Sequence, residues 1–567
     1  MAFGGLNQRG EMGMGQGDQR LHMNRRSFLG LTAAGMAGGL ALPAVLAACG
    51  SGVGSTGASG SDTGVLPTYV PEKVPPPQLA GNDHGLPNAY FDQPKHLVQT
   101  VHETPGKGGQ FTALVITYSP PPTPLGQNLF WQEFNKRLGS SFAPIIVSSS
   151  DYQTKLATVM ASNDLPDFML MPPPVPNELA FLQAKCQDLT EFIGGDAVKE
   201  YPNLANIPTH TWRNGALGGR MYGLVEDQGY FAGNLFFYQD MADQVGIPHP
   251  RNTDDFTRLM KALTRPDKGI WGMGATQRSN YNLSFFQQLF GAPNNWKVEG
   301  GKFTHAWETE ETKAAISYAT ELFKLGIFYP NSNNLSTTQG KNGFYGRHFA
   351  SYQDGFWGFN TTWAAVLQIN PSWQPRILIP FGHSGGPGSY FTHPGSVGLI
   401  ALKKAPKSRI RELLSIANYL AAPFGSVENS FLKNGIEGVD YTLNASGNPI
   451  QTERGMSEMQ LQWSNITQAP GADVNFQFPD YVKTLYQTQV KLLPLGVNDP
   501  TIGLYSNAAA SVNAMLTDMA NNAVSAIISG RQPMSTYGQF LSQWRSQGGD
   551  QMRREYQHAY QSSHKKS

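Results

Sequence analysis

Between residues 111 and 171 the chain switches repeatedly between two hydrophobic periods, and this restricts the fold more than any other feature. "FTALVITY" at 111–118 is a β-rich apolar run closed by a proline turn, Pro120 to Pro124. From Asn128, "NLFWQEFNKRLG" shows helical spacing at Leu129, Phe130, Phe134 and Leu138, and Gly139 stops it. "APIIVSSS" reads as a second strand. "DYQTKLATVMASND" reads as a helix with Asp151 as N-cap and Tyr152, Leu156, Val159 and Met160 on one face. "PDFMLM" is a third strand, ended by the Pro172–Pro174 breaker. Strand, helix, strand, helix, strand is the βαβ alternation of a parallel sheet with covered faces, so the expected class is α/β.

Later segments repeat the pattern. "NLFFYQDMADQVG" runs from strand into short helix, and "NTDDFTRLMKALTRP" is a capped helix before a proline. "ETEETKAAISYATELFKLG" is a longer helix with carboxylates at its N-terminus and Gly326 at its end. "RILIPFG" and "SVGLIAL" read as strands. "KSRIRELLSIANYLAAP" and "GLYSNAAASVNAMLTDMANNAVSAIISG" read as helices, the second expected to be interrupted. No fixed-period repeat is visible.

The N-terminus has a separate logic. Asn24-Arg25-Arg26-Ser27-Phe28-Leu29-Gly30 leads into about twenty residues dominated by Gly, Ala and Leu, then Leu46-Ala47-Ala48-Cys49. The paired arginines resemble a twin-arginine export motif and the second stretch resembles a bacterial lipobox, in which Cys49 is acylated. Residues 1–49 are therefore expected to be a signal peptide, with translation starting at Met1 or Met23 and export by the twin-arginine or general secretory route. Residues 50–105, rich in Gly, Ser, Thr, Pro and Asn, read as a flexible linker. The expected location is extracytoplasmic, lipid-anchored to the outer face of the cytoplasmic membrane. Of the two cysteines only Cys186 remains, so no intramolecular disulfide or cysteine metal site can form. Cys186 is expected to be a small buried or half-buried residue.

About 440 residues follow the linker, too many for one small core, which implies two lobes. The formal net charge is +1 and charged residues make up 15%, with no basic patch, so nucleic acid is not an expected partner. Ten Trp and an aromatic share of 11% favour a neutral, partly apolar ligand.

Five stretches in order resemble bacterial extracellular solute-binding proteins, the ABC-transporter substrate-binding lipoproteins of carbohydrate type (family 1-like). They are "YQTKLATVMASNDLPDFML", "GGRMYGLV" at 218–225, "FFYQDMADQVGIPHPRNTDDFTRLMKAL", "YATELFKLGIFYP" and "FLKNGIEGVDYT". Gln239 and Val225 depart from the usual pattern. The resemblance spans about residues 106–545. It implies a two-lobed periplasmic-binding-protein fold, type II-like, with strands crossing between lobes. Lobe one would be 106–232 plus 353–420, lobe two 233–352 plus 421–545, and 546–567 a C-terminal tail. It further implies a monomeric importer subunit that captures an oligosaccharide and delivers it to permease subunits, with no cofactor.

A sugar needs aromatic platforms for its C–H faces and carboxylates or amides for its hydroxyls. Two windows carry that mixture. One holds Trp212, Glu226, Asp227 and Tyr230 at the expected first crossing; the other, "SYQDGFWGFNTTW", holds Asp354, Trp357 and Trp363 at the expected return crossing. Trp357 heads the ligand-binding candidates because Gly355 and Gly358 make its surroundings loop-like. Tyr118 and Trp271 are further candidates. Asp167 reads equally as a cleft carboxylate or as a turn residue.

"GHSGG" at 382–386 matches a serine-hydrolase elbow, but Pro387 and Gly388 forbid the helix that must follow. There is no H-E-x-x-H, Walker loop or Cys/His cluster, so no catalytic residue or metal ligand is assigned. A secreted carbohydrate-active hydrolase, which would need two facing carboxylates, is the main rival. A peptide-binding homologue and a purely structural surface lipoprotein are the others.

Overall fold

The strands expected at 111–171 form where the periodicity puts them. In the computed structural model, which describes residues 65–564 except 83, 84 and 119, they are Gln110–Thr117, Ser141–Ser148 and Phe168–Met171. Helices Leu129–Leu138 and Tyr152–Ala161 alternate with them. Asn128 caps the first helix, its side chain accepting from Trp131 N at 2.7 Å, a contact of about 1 kcal/mol. Asp151 precedes the second but makes no cap bond; its carboxylate accepts from Ser148 Oγ at 2.6 Å.

The three strands are parallel and belong to a five-stranded sheet ordered 141–148, 110–117, 168–171, 399–402, 223–225. Leu399–Leu402 runs antiparallel to both its neighbours. Gly223–Val225 therefore points the same way as Gln110–Thr117, and the residues following both emerge at one edge of the sheet. Phe168–Met171 and Leu399–Leu402 are buried at every position, as central strands covered on both faces must be.

Two separate cores define two lobes. One gathers residues from Leu66 and Phe111 through Val225, then Leu399 through Ile466. The other gathers Ala89, Phe231 through Tyr390, and Tyr481 through Met552. From residue 111 onward the chain thus crosses three times, at about 226–230, 391–398 and 467–480. The crossings are held together by backbone bonds from Gln228 N to Gly395 O (2.8 Å), His393 N to Tyr230 O (2.9 Å) and Asp227 N to Gln468 O (3.2 Å).

These cores correct the expected boundaries. Residues 353–392 pack in the second lobe, because strand Ser351–Gly355 pairs with Gly233–Tyr238 and Pro375–Ile377 pairs with the other edge of that strand. Residues 421–466 pack in the first lobe, where Phe431 meets Phe130 at 5.2 Å. The second lobe is built around a small antiparallel sheet under helices, not a repeat of the parallel unit. Helix Asn507–Ile528 runs uninterrupted. The expected tail is a helix, Asp550–His564, with Met552 buried in the second core.

The expected linker also needs correction. Residues 50–64 lie outside the described residues, as do the signal peptide and Cys49. From residue 65 onward the chain is a strap laid over both lobes. Thr68 N and Val70 N donate to Gly195 O and Ala205 O of the first lobe. Ala80 O accepts from Tyr486 Oη of the second at 2.8 Å, and Ala89–Tyr90 pairs with Asp473–Val474. Thr100 Oγ1 then returns to Glu428 of the first lobe at 3.0 Å. Its prolines and small residues suit an extended course pinned at intervals by backbone bonds to both lobes. Cys186 is buried, and burial pushes its thiol up to about 12.

Candidate functional site

Beside the crossings the second lobe holds a cavity of about 490 Å³. Its wall on the second lobe is made by the turn at 276–284, by Trp307 and by the strand end carrying Gln353, Asp354 and Trp357. Gln228 and His393, on the first and second crossings, close its base. Across the gap, the Tyr505 phenol of the second lobe lies against Glu178 and the Leu179 backbone N–H of the first.

Trp357 is 42% exposed and its indole Nε1 donates to Gln228 O at 2.7 Å. The ring edge sits between two glycines of different crossings. A Cβ on Gly471 would lie 2.9 Å from Trp357 Cη2, and one on Gly229 would lie 3.5 Å from Cζ2. Asp354 is half-buried and already engaged, with Tyr352 Oη at 3.0 Å and Lys341 Nζ at 3.4 Å. Two amide oxygens in the same wall, Gln353 Oε1 and Asn280 Oδ1, are buried with no partner among the described residues. Such acceptors are costly unless a donor reaches them.

The turn that presents Asn280 is itself unusual. Asn280, Tyr281 and Asn282 have φ of 43°, 56° and 58° in succession, a left-handed run that side chains seldom adopt. The Asn282 amide holds it by donating to Gly274 O at 2.8 Å.

Trp307 separates this cavity from a side chamber of about 430 Å³ lined by Trp296, His305, Trp544 and Tyr556. His305 Nδ1 accepts from Trp307 N at 3.2 Å, which makes the imidazole neutral with its proton on Nε2; burial lowers its pKa to about 3. His393 is likewise lowered by burial, to about 4. Both are uncharged at neutral pH. Arg278, exposed on the cavity rim, makes no hydrogen bond or ion pair among the described residues.

The sequence candidates separate into distinct places. Trp357 and Asp354 line the cavity. Tyr118, 74% exposed, follows Gln110–Thr117 at the same sheet edge from which Glu226 emerges. Glu226 lines a different chamber; its Oε1 accepts from Gln228 Nε2 at 2.7 Å, and burial pushes its carboxyl up to about 7 against the opposing pull of Lys433. The remaining candidates are corrected by their packing. Asp227 is buried and satisfied, accepting from Thr211 Oγ1 (2.7 Å) and Gly229 N (2.9 Å), so it shapes the first crossing. Tyr230 is wedged between Gly85 of the strap and Gly496. Trp212 is fully buried in the first core. Trp363 is buried in the second, with Arg376 over its face at 4.9 Å. Trp271 packs edge-on to Tyr329 at 5.0 Å, against the second core. Asp167 pairs with Lys403 (3.3 Å) and Arg409 (3.1 Å) inside the first lobe, away from the cavity.

Trp307, Arg278, Asn280 and Gln353 were missed. The first sits in "THAWETE", which reads only as a helix start, and the others carry no pattern at all. Their signal is spatial.

The elbow-like Ser384 bonds His383 Nδ1 at 2.8 Å, but His383 is stacked on Phe290 at 5.0 Å and no carboxylate among the described residues is bonded to it. A Gly-rich turn follows, in which Gly385 and Gly386 have positive φ, and no helix starts there. No group of three or more acidic, His or Cys side chains able to hold a metal occurs among the described residues.

Comparison with known proteins gives a consistent picture. Residues 122–423, more than half of the chain, match the model of a family described as bacterial extracellular solute-binding protein. The polygalacturonan/rhamnogalacturonan-binding protein YtcQ of Bacillus subtilis (strain 168) is 23% identical over 382 residues, 65% of this chain and 75% of its own. Lipoprotein LipO of the same organism is 21% identical over 466 residues, 78% of this chain and 91% of its own. Among solved structures, the ABC-transporter substrate binding protein FusA of S. pneumoniae, in complex with kestose, superposes with a TM-score of 0.61 at 15% identity. The match covers 81% of this chain and all of that one. The two-lobed architecture is shared.

Proposed function

Because this chain belongs to the bacterial extracellular solute-binding proteins, we propose that it is the solute-capturing lipoprotein of an ABC importer and that its solute is an oligosaccharide. The observation that carries the reading is the cavity wall itself. Two indoles, Trp307 and Trp357, flank the unpartnered amide oxygens Gln353 Oε1 and Asn280 Oδ1. A sugar matches this lining: its C–H faces lie on the indoles while its hydroxyls meet polar side chains such as Gln228, Ser284 and Asp354. The names of YtcQ and of the FusA–kestose complex support the same ligand class. Arg278 adds a preference for a sugar carrying carboxylates, since an unpaired guanidinium on the rim accepts a carboxylate in bidentate fashion.

Ligand closes the lobes only through contacts that differ between open and closed states. Gln228 and His393 lie on crossings, so a ligand that touches them reads the hinge directly. Tyr118, on the opposing edge, is positioned to meet the ligand on closure. In this reading Cys49 is acylated and holds the chain, as a monomer, at the outer face of the cytoplasmic membrane beside its permease. The name of LipO supports the anchor.

The test is a thermal-shift screen of neutral and acidic oligosaccharides, peptides and polyamines. A ligand at one hundred times its Kd stabilises by about 2.7 kcal/mol. A sugar shift supports the reading; shifts with peptides alone remove the carbohydrate assignment, and released sugar products would replace binding by hydrolysis. Labelled palmitate must appear on the wild-type chain in a bacterial host and not on Cys49→Ala.

A further inference from the structure

The strap joins the two lobes twice more, in addition to the crossings that follow residue 111. It leaves the first lobe after Glu72, whose N–H donates to Asn206 Oδ1 at 2.9 Å. It reaches the second lobe by Ala80, whose carbonyl accepts from Tyr486 Oη at 2.8 Å. The way back lies between Ala89 and Gln93. Ala89 is fully buried in the second core, and Gln93 N donates to Asn448 Oδ1 of the first lobe at 2.7 Å.

The way back is much the tighter of the two. Tyr90 is 1% exposed, and its ring lies 4.5 Å from that of Phe424, in the segment 421–466 that packs with the first lobe. Its Oη donates to Pro75 O at 2.9 Å. Two consecutive residues are therefore seated in opposite lobes, with Cα atoms about 3.8 Å apart. The loop between the two legs gives no slack, because the legs are bonded to each other. Leu79 and Ala89 exchange N–H···O bonds of 3.2 and 2.9 Å, and Gly81 N donates to Asn88 Oδ1 at 2.9 Å.

This loop also rests on two of the crossings. Asn88 O accepts from Asp473 N of the third at 2.8 Å. Gly85, with φ of 107°, meets Tyr230 of the first so closely that a Cβ there would fall 2.6 Å from Tyr230 Cβ. We propose that the strap is the pin of the hinge: it fixes the pivot at Ala89–Tyr90 and limits how far the lobes open. Rotation about an axis elsewhere must draw Ala89 out of the second core or lift Tyr90 off Phe424, and either move returns apolar surface to water. A chain held near its ligand-ready shape loses less of its binding free energy to ordering, so the pin also tightens ligand binding. That consequence rests on the solute-binding reading; the pivot does not.

The experiment slackens the pin without removing a side chain, by inserting Gly-Ser-Gly between Ala89 and Tyr90 of the full chain. Spin labels on Lys155→Cys of the first lobe and Lys324→Cys of the second, both exposed, report the interlobe distance without ligand. Cys49→Ala removes one competing thiol, and Cys186 is buried. Pulsed electron paramagnetic resonance should show the distance distribution broadened and shifted by about 2 Å or more, the scale of a hinge rearrangement. The same insertion between Lys95 and His96, whose flanks at Gln93 and Val98 are both tied to the first lobe, should leave it within about 1 Å. Tyr90→Ala should shift it as the first insertion does, and decides the matter where that insertion folds poorly. An unchanged distribution in both overturns the proposal, and so does an equal shift from the control insertion. An oligosaccharide that binds the wild type should bind the slackened chain about ten-fold more weakly, as expected when the competent state is populated to about a tenth. Failure of every oligosaccharide to bind would remove the solute reading and leave the distance measurement to decide the pin.

Discussion

The indole Nε1 of Trp357 donates to the backbone carbonyl of Gln228 across 2.7 Å, which ties the second lobe's cavity wall to the first crossing. The same ring rests on Gly229 and Gly471, one from the first crossing and one from the third. Its orientation is therefore set by two of the segments that cross between the lobes.

Gly471→Ala should act through that ring. The new Cβ would sit 2.9 Å from Cη2, and Gly471 does not have a left-handed φ, so the backbone itself tolerates alanine. We expect oligosaccharide affinity to fall by about ten-fold in the wild-type background and by less than about two-fold in Trp357→Ala. Calorimetry on the four chains of the cycle measures it; equal losses in both backgrounds would mean the glycine acts elsewhere.

The tryptophans should separate into two classes. Trp307→Ala and Trp357→Ala remove cavity walls, so sugar affinity drops with little change in melting temperature. Trp212→Ala and Trp363→Ala empty the cores, at about 3–5 kcal/mol each by denaturant titration. A core-sized stability loss at Trp307 would move it out of the ligand site.

Arg278 is expected to set charge preference. Arg278→Ala should lower affinity for oligogalacturonates by about ten-fold while neutral oligosaccharides change by less than about three-fold, because only the carboxylate loses its partner. Raised salt should reproduce the effect in the wild type, since the guanidinium is exposed. Equal losses for both ligand types would reject a charge role.

Asp473 makes stability depend on pH with a definite sign. Burial raises its folded pKa to about 7 from the ordinary 3.8, so between these values the folded chain holds a proton that the unfolded chain has lost. Stability then falls as pH rises through that window and is flat above it. Glu226 adds a slope of the same sign. His305 and His393, lowered to about 3 and about 4, add one of opposite sign below about pH 6.5. The difference between wild type and Asp473→Asn isolates the carboxyl. The asparagine variant should gain on the wild type from pH 4 to pH 7, by about 1 kcal/mol or more, each pKa unit being worth about 1.4 kcal/mol. A constant difference across that range would contradict the assignment.

Ser384 should be inert. With His383 stacked on Phe290 and no third group orienting it, a fluorophosphonate probe is expected to leave the native chain unlabelled. Labelling that Ser384→Ala abolishes would revive the hydrolase.

The parallel start of the first lobe was legible because periodicity reports local burial. Phe130, Phe134 and Leu138 alternate with polar residues at helical spacing, and the chain obeys. The same signal says nothing about which lobe a strand joins. Ser351–Gly355 carries no mark that it pairs with Gly233–Tyr238, more than a hundred residues away, so the expected return crossing was placed too early. Composition misled in the strap, where prolines and glycines suggested a loose tether but backbone bonds to both lobes hold it.

The sequence by itself determined the α/β class, the first three strands and the family resemblance, and it pointed to Trp357, which lines the cavity at the crossings. These follow from near-neighbour patterns and ordered motifs. Only the tertiary structure decided that Trp212 and Trp363 are core while Trp307 is wall, and that Asn280 and Gln353 keep unpartnered oxygens. A side chain's exposure and its missing partner depend on segments folded against it from elsewhere in the chain, and residue type and local spacing carry no record of those.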